Sequence, residues 1–327
     1  MSYLSYIEAV TEAIEIAMEQ DPRVFVIGED VGVRGGVFRA TTGLLEKFGE
    51  ARVIDAPLAE SGIVGIAIGA AINGMLPIAE IQFADFILPA VNQIINEAAK
   101  IRYRSNGDFH CPIVIRSPFG GGINGALYHS QSMEALFTNI PGLKIVVPST
   151  PEDVKGLLLS AIRDPDPVLF FEHKKCYRSI KGEVPDGDYI IPIGQAKVVR
   201  TGDDLTIITY GLMVHYTLTA ADLLAKEGIS CQVVDLRTLL PLDKETILSA
   251  AVKTGKVLIV HEDNKTHGIG AEVAAIIAEE ALFELDAPIM RLCGPDIPAM
   301  GYSPTLESFY MISPTEIANK ALELAEF

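Results

Sequence analysis

The sequence contains no tryptophan, and its four cysteines (Cys111, Cys176, Cys231 and Cys293) lie far apart with no C-x-x-C pair. Such a pattern excludes a disulfide-stapled scaffold and fits reduced thiols in a cytosolic protein. Basic residues are scarce: 26 Lys and Arg stand against 43 Asp and Glu, a net charge of −17. A chain so acidic lacks the basic footprint needed to displace counterions from nucleic acid or to dock on anionic lipid. The segment Met1-Ser2-Tyr3-Leu4-Ser5-Tyr6-Ile7-Glu8 has neither the basic stretch nor the apolar block of an export signal, so a cytoplasmic chain is expected. A GxSxG elbow, a P-loop, an HExxH helix and an EF-hand loop are all missing.

What is present is a chain of 327 residues, 49% hydrophobic and 21% charged, about twice the usual domain length. Two domains with sizeable cores are therefore expected. Residues 61–79 carry no charge, a stretch nearly as long as a membrane span. Gly62, Gly65, Gly69, Asn73-Gly74 and Pro77 interrupt it, which predicts a buried helix followed by a strand inside a protein core.

Strand-like apolar runs alternate with helical spacing along most of the chain. Strands are expected at 24–28, 76–83, 112–116, 143–147 and 168–171, with helices at 5–20, 85–102, 132–138 and from Pro151. The pattern fails between about 172 and 204, where Pro185-Asp186-Gly187-Asp188, Pro192 and Gly202 read as linker. It resumes with strands at 205–210, 231–236, 256–260 and 288–292 and helices at 214–227, 243–254, 271–284 and 314–325. No repeat or low-complexity segment is present. The reading is α/β: two doubly wound, mostly parallel-sheet domains, 1–185 and 205–327, joined by a linker at 186–204.

Gly120-Gly121-Gly122-Ile123-Asn124-Gly125 follows a strand and formally satisfies G-x-G-x-x-G. The acid that should follow about 20 residues later is missing, because Pro148-Ser149-Thr150 stands there. A tight loop beside some site is the better reading. His261 and His267 are six residues apart, which fits no helical ligand pair; they read as a strand end and polar loop. His110, His173 and His215 are isolated.

Two segments carry chemistry. In Pro57-Leu58-Ala59-Glu60-Ser61-Gly62 a lone carboxylate enters the uncharged stretch. Burial there would suit proton exchange with a ligand base, while a helix-starting carboxylate facing the dipole explains it equally well. In Gly125-Ala126-Leu127-Tyr128-His129-Ser130-Gln131-Ser132 a histidine follows the glycine loop and precedes a helix.

Together with Gly28-Glu29-Asp30-Val31-Gly32, Glu80-Ile81-Gln82-Phe83 with Phe86, Arg116-Ser117-Pro118, Pro141-Gly142-Leu143-Lys144, Val147-Pro148-Ser149-Thr150 and Val234-Asp235-Leu236-Arg237-Thr238, these segments run in order along the whole chain. The chain resembles the beta subunit of the thiamine-diphosphate-dependent decarboxylase component of 2-oxo acid dehydrogenase complexes. Tyr128-His129-Ser130-Gln131 looks most like the branched-chain type; pyruvate or acetoin is the alternative substrate.

The resemblance implies a transketolase-like pyrimidine-binding domain and a transketolase C-terminal domain. It implies that Glu60 hydrogen-bonds the aminopyrimidine ring nitrogen of thiamine diphosphate and favours its imino tautomer. It also implies that Phe86 stacks on that ring where branched-chain relatives often carry Tyr, and that Leu58 and Gln82 line its pocket. Glu29 is placed on an acidic path between paired sites, and His129 is assigned to acyl transfer to the lipoyl group of the partner acyltransferase. A potassium-like ion on the backbone carbonyls of Ile113, Ala161, Asp164 and Asp166 is a further implication.

The Gly-Asp-Gly and later Asn that hold Mg²⁺ on the diphosphate are absent: Asp186-Gly187-Asp188 is reversed, and Gly202-Asp203-Asp204 has no Asn at the needed distance. The resemblance therefore implies an alpha subunit that supplies Mg²⁺ and the diphosphate half of the site, in a heterotetramer of two alpha and two beta chains. The competing readings are a stand-alone NAD enzyme built on the glycine loop and a non-catalytic scaffold that docks the acyltransferase.

Overall fold

The β-branched runs become the strands of two parallel sheets in a computed structural model that describes residues 1–327. The chain divides into two units: Met1–Phe119 with Asn139–Ile193, and Gly120–Thr138 with Gly194–Phe327.

The strands of the first unit are β1 (Ser2–Ser5), β2 (Val24–Gly28), β3 (Val53–Asp55), β4 (Leu76–Glu80), β5 (Val114–Phe119), β6 (Lys144–Val146), β7 (Val168–His173) and β8 (Lys181–Val184). Its main sheet runs β6-β7-β5-β4-β2-β3, with every pair parallel. Strands β2, β5 and β7 are buried along their whole length, as expected of a sheet covered on both faces. The helices Tyr6–Gln20 and Pro151–Ile162 pack on each other. Ser5 and Glu8 cap the first reciprocally, and Thr150 with Pro151 starts the second. Strands β1 and β8 form a separate antiparallel pair.

The uncharged stretch forms the helix Glu60–Ile72 and then β4, with Gly74 turning the chain at φ +90°. No helix is long and apolar enough to cross a membrane. The expected burial holds for one face only: Ile63, Val64, Ala67, Ile68 and Ala71 are buried, whereas Ile66 is 61% exposed and Gly69 lies at the surface. The continuous helix read at 85–102 is also corrected. Pro89 has no N–H to donate, and the stretch breaks into Ala84–Phe86, Leu88–Ala90, a wide turn at Gln93–Ala98 and a last helical turn at Ile101–Arg104.

Three adjacent strands are joined by charge. Arg116 on β5 is fully buried and donates through Nη1 to Glu80 Oε2 on β4 (2.6 Å). Its Nε and Nη2 donate to the two oxygens of Glu172 on β7, at 2.6 and 2.7 Å. The Tyr177 hydroxyl donates to the same carboxylate. Two acids facing one guanidinium leave an excess negative charge, and burial, followed by the charge of Glu172, raises the Glu80 carboxyl against the pull of Arg116.

The second unit holds β9 (Lys197–Arg200), β10 (Leu205–Thr209), β11 (Cys231–Asp235), β12 (Thr238–Leu240), β13 (Val257–Asn264) and β14 (Met290–Gly294). Its sheet runs β14-β13-β10-β11-β9, parallel except at the antiparallel edge strand β9. Strand β9 lies inside the stretch read as linker; its Lys-Val-Val-Arg run is too short and too polar at its ends to stand out. The helices Leu212–Lys226, Lys244–Thr254, Ile269–Glu280 and Pro314–Ala325 fall close to expectation, while Pro304–Tyr310 was not anticipated. The glycine-loop segment leaves β5 and belongs to this second unit.

Replacing Arg116 by alanine strands two buried acids without a counter-charge. We expect a loss of about 3–5 kcal/mol in urea unfolding. A loss under about 1 kcal/mol would show that the triad does not hold β4, β5 and β7 together.

Candidate active site

Parallel sheets place ligands beyond the carboxyl ends of their strands. Here β3, β2 and β4 are neighbours, and Asp55, Gly28 and Glu80 at their ends are in register. The chain leaving each strand delivers a residue singled out above: Glu29 after β2, Leu58 and Glu60 after β3, Gln82 and Phe86 after β4. The Ala56 N–H donates to the Gly28 carbonyl, tying the loop after β3 to the end of β2. Gly28 is required there, because a Cβ would fall 2.9 Å from the Glu80 carbonyl oxygen.

Glu60 is the first residue of its helix, and no side chain caps that end. Burial and a helix-starting position were equally open for this carboxylate; in the single chain Glu60 starts the helix and is half-buried. Leu58 beside it is 72% exposed. Partial burial, then the charges of Asp30 and Glu60, raise the Glu29 carboxyl, so Glu29 and Glu60 sense each other. The Gln82 amide donates weakly to Asp30 (3.5 Å). The Phe86 ring stands edge-on to Phe83 at 5.6 Å, and Phe83 meets Phe38 in the same way. These five residues lie in one unit, on segments that leave adjacent strand ends.

Ile113, Ala161, Asp164 and Asp166 lie in the same unit. The Ile113 carbonyl accepts from Val168 N–H, and the Ala161 carbonyl accepts from Asp164 N–H. Both side-chain carboxylates are already paired: Asp164 with Lys144 Nζ (2.6 Å) and Asp166 with Arg102 (2.7 Å). No cluster of three His, Cys, Asp or Glu side chains could hold a metal ion.

His129 belongs to the second unit, on the loop that opens with the glycine run. The Gly120 N–H donates to the Gln131 carbonyl and closes the loop at its base. Gly120 and Gly122 have φ of +83° and +79°, and Asn124 and Ala126 are held at +56° and +58°. For Ala126 that conformation costs on the order of 1 kcal/mol. Gly125 must be glycine, since a Cβ would lie 2.6 Å from the His129 carbonyl oxygen.

The loop amides already have anions. Glu307 Oε1 accepts from Gly122 N–H (3.0 Å) and Asn124 N–H (2.8 Å), and Glu262 Oε1 accepts from Gly121 N–H (2.6 Å). Convergent N–H groups of this kind make an anion-binding concavity. The phosphate-loop pattern is thus filled by this chain's own carboxylates, which removes the basis of the NAD reading. Glu262 and Glu307 were missed as contributors, because nothing in the local sequence around either acid ties it to the loop.

Beneath the loop lies a buried polar cluster. Glu134 Oε1 accepts from the Tyr210 hydroxyl (2.8 Å), while Glu134 Oε2 and Asp263 Oδ2 have no partner. Burial raises the Glu134 carboxyl well above its ordinary range, with the charge of Asp263 adding to it. Burial likewise pushes Asp263 up to about 6. His261 is fully buried in strand β13, with Nδ1 3.0 Å from the Asp263 carbonyl and its ring stacked on Tyr210. A carbonyl can only accept, so Nδ1 carries the hydrogen. Burial lowers this imidazole to about 4.

Residues 2–179 match the family model described as transketolase, pyrimidine binding domain, and residues 194–317 match transketolase, C-terminal domain. The chain is 66% identical over 327 residues to the 2-oxoisovalerate dehydrogenase subunit beta of Bacillus subtilis (strain 168), covering 100% of both. It is 49% identical over 327 residues to the pyruvate dehydrogenase E1 component subunit beta of the same organism, again covering 100% of both. The mitochondrial 2-oxoisovalerate dehydrogenase subunit beta 2 of Arabidopsis thaliana is 51% identical over 316 residues, 96% of this chain and 86% of that one. Among solved structures, a split gene transketolase, inactive beta4 tetramer, shares the fold at a TM-score of 0.80 and 24% identity, over 99% and 98% of the two chains.

The architecture is therefore the two-domain transketolase-like one. The chain belongs to the 2-oxo acid dehydrogenase beta subunits, and so to a multi-subunit oxidoreductase.

The buried cluster makes a pH signature. Asp263 rises from 3.8 to about 6 on folding, so its contribution is present at low pH and is lost as pH rises through that window. His261 falls from 6.5 to about 4, so its contribution is present above 6.5 and is lost as pH falls. The two oppose each other. Urea midpoints measured from pH 4.5 to 6.5 should fall more steeply with pH in His261→Asn than in wild type, and less steeply in Asp263→Asn. Three parallel profiles would contradict the assignment.

Proposed function

We propose that this chain is the beta subunit of a branched-chain 2-oxo acid dehydrogenase, catalysing oxidative decarboxylation and passing the acyl group to the lipoyl group of an acyltransferase. The observation that carries it is the convergence of Glu29, Leu58, Glu60, Gln82 and Phe86 at the ends of β3, β2 and β4 in a chain 66% identical to a 2-oxoisovalerate dehydrogenase subunit beta. Identity to the pyruvate dehydrogenase subunit of the same organism is lower, at 49%, and pyruvate is the alternative substrate.

Thiamine diphosphate, when bound, supplies the electron sink for decarboxylation of the 2-oxo acid. The residues present fit its pyrimidine end. Glu60 offers a carboxyl group to hydrogen-bond the ring nitrogen, and Glu29 nearby has its carboxyl raised by partial burial and by the charges of Asp30 and Glu60. Phe86 offers a flat face, Leu58 an exposed apolar contact and Gln82 an amide. Nothing in the sequence provides the Asp and Asn that hold Mg²⁺ on a diphosphate, which supports an alpha subunit as their source and a tetramer of two alpha and two beta chains.

The half-buried Glu60 and the exposed Ile66 on its helix are consistent with a chain completed by a partner. His129 delivers a proton to the sulfur released when the S–S bond of the oxidised lipoyl group breaks, its other sulfur taking the acyl group and the disulfide taking the two electrons. The backbone carbonyls of Ile113, Ala161, Asp164 and Asp166 are the proposed seat of a potassium-like ion, oxygen donors of the kind a hard cation takes. The net charge of −17 suits a basic binding domain on the acyltransferase and a cytoplasmic complex.

The test is reconstitution with the alpha subunit and a panel of 2-oxo acids. We expect branched substrates to be preferred; preference for pyruvate would select the alternative. Glu60→Gln should lower decarboxylation about 10²–10³-fold, in line with loss of a proton-transfer partner. Unchanged decarboxylation would leave only a scaffold role. His129→Ala should impair lipoyl acylation more than decarboxylation, and equal loss in both would refute its assignment.

A further inference from the structure

The loop that presents His129 does not hold its shape by packing alone. It contains two non-glycine residues in the left-handed region, Asn124 and Ala126, and both chain turns around them depend on glycine. Its amides at Gly121, Gly122 and Asn124 point inward, where backbone N–H groups without acceptors would be strongly disfavoured. Two buried carboxylates meet them: Glu262 from β13 at 2.6 Å, and Glu307 from the helix Pro304–Tyr310 at 3.0 and 2.8 Å.

Glu307 is the more telling of the two. One oxygen takes two N–H groups that are two residues apart, which fixes the loop's curvature and not merely its position. Gly121 packs against the side chains of Met300 and Met311, so a Cβ there would displace them. Charge-assisted bonds of this length are about twice as strong as neutral ones.

We propose that Glu307 is a positioning residue for acyl transfer: by occupying the amide nest of residues 121–124 it sets the backbone from which His129 is presented. This rests on the reading of His129 as the acyl-transfer residue. The nest that in nucleotide enzymes receives a phosphate here receives an internal anion, and the loop becomes a rigid arm instead of a ligand site. A misplacement of about 1 Å in a reacting group can cost roughly a hundredfold in rate, so the arm's curvature bears directly on transfer.

The experiment uses the reconstituted complex of alpha and beta chains with a lipoyl domain as acceptor. Glu307→Ala should lower lipoyl acylation roughly ten- to hundredfold, and Glu307→Gln, which keeps an accepting oxygen without the charge, should fall between. Decarboxylation with an artificial electron acceptor should change by less than about twofold. In a His129→Ala background, Glu307→Ala should add less than about twofold, because the two act in series.

Hydrogen exchange of the amides at 121–124 is measured in parallel and should speed up in Glu307→Ala. Unchanged exchange overturns the positioning proposal whatever His129 does. So does a Glu307→Ala loss that is equal in both steps, or that is undiminished in the His129→Ala background. If exchange speeds up while His129→Ala transfers acyl groups normally, the His129 reading fails, and the functional half of this proposal fails with it.

Discussion

A single guanidinium holds together the strands from which the candidate residues of the first unit depart. Arg116 sits in the middle of β5 with no access to water and reaches β4 on one side and β7 on the other. A buried charge of this kind tolerates little slippage, because a register change of one residue would point the arginine to the other face. Gln82 and Phe86 follow β4, and the His129 loop begins where β5 ends at Phe119. Gln82 and Phe86 are therefore launched from a strand that this side chain holds in register.

The glycine loop shows how one physical requirement serves different ends. Inward-pointing amides need an anion, whether it arrives as a nucleotide phosphate or is supplied by the chain itself. The spacing of glycines reports only the requirement. What separates the outcomes is where the anion comes from, and here it comes from Glu262 and Glu307, residues 141 and 185 positions away from their amide partners. No local pattern carries that information. The missing acid near Pro148 weighs in the same direction, because a dinucleotide site needs that second contact as well.

Legibility followed the same division between local and distant causes. The buried strands could be read directly, since a parallel sheet covered on both faces leaves continuous apolar runs such as Val24 to Gly28 and Val168 to His173. Helix Pro314–Ala325 fell where its proline start and spacing put it. The stretch after Phe83 was misread because apolar spacing outweighed the presence of Pro89, and the edge strand β9 was missed because it buries little. The convergence of Glu29, Glu60 and Gln82 was not visible in spacing. It follows from strand order, with β2 between β3 and β4, and order is a property of the folded sheet.

Strand order also changes what the acidity means. Nine acidic residues are buried against four basic ones, so part of the −17 never faces solvent. Glu80 and Glu172 flank Arg116, Glu262 and Glu307 fill the amide nest, and Glu134 with Asp263 sits on raised carboxyls that favour the uncharged form. These acids cannot steer a partner, and they neutralise one another's cost only through specific donors. The charge available for a basic partner is the smaller remainder on the surface. An acidic composition in this fold thus reflects two separate demands: anions required inside by backbone and guanidinium donors, and anions displayed outside. Only the second is an argument about association.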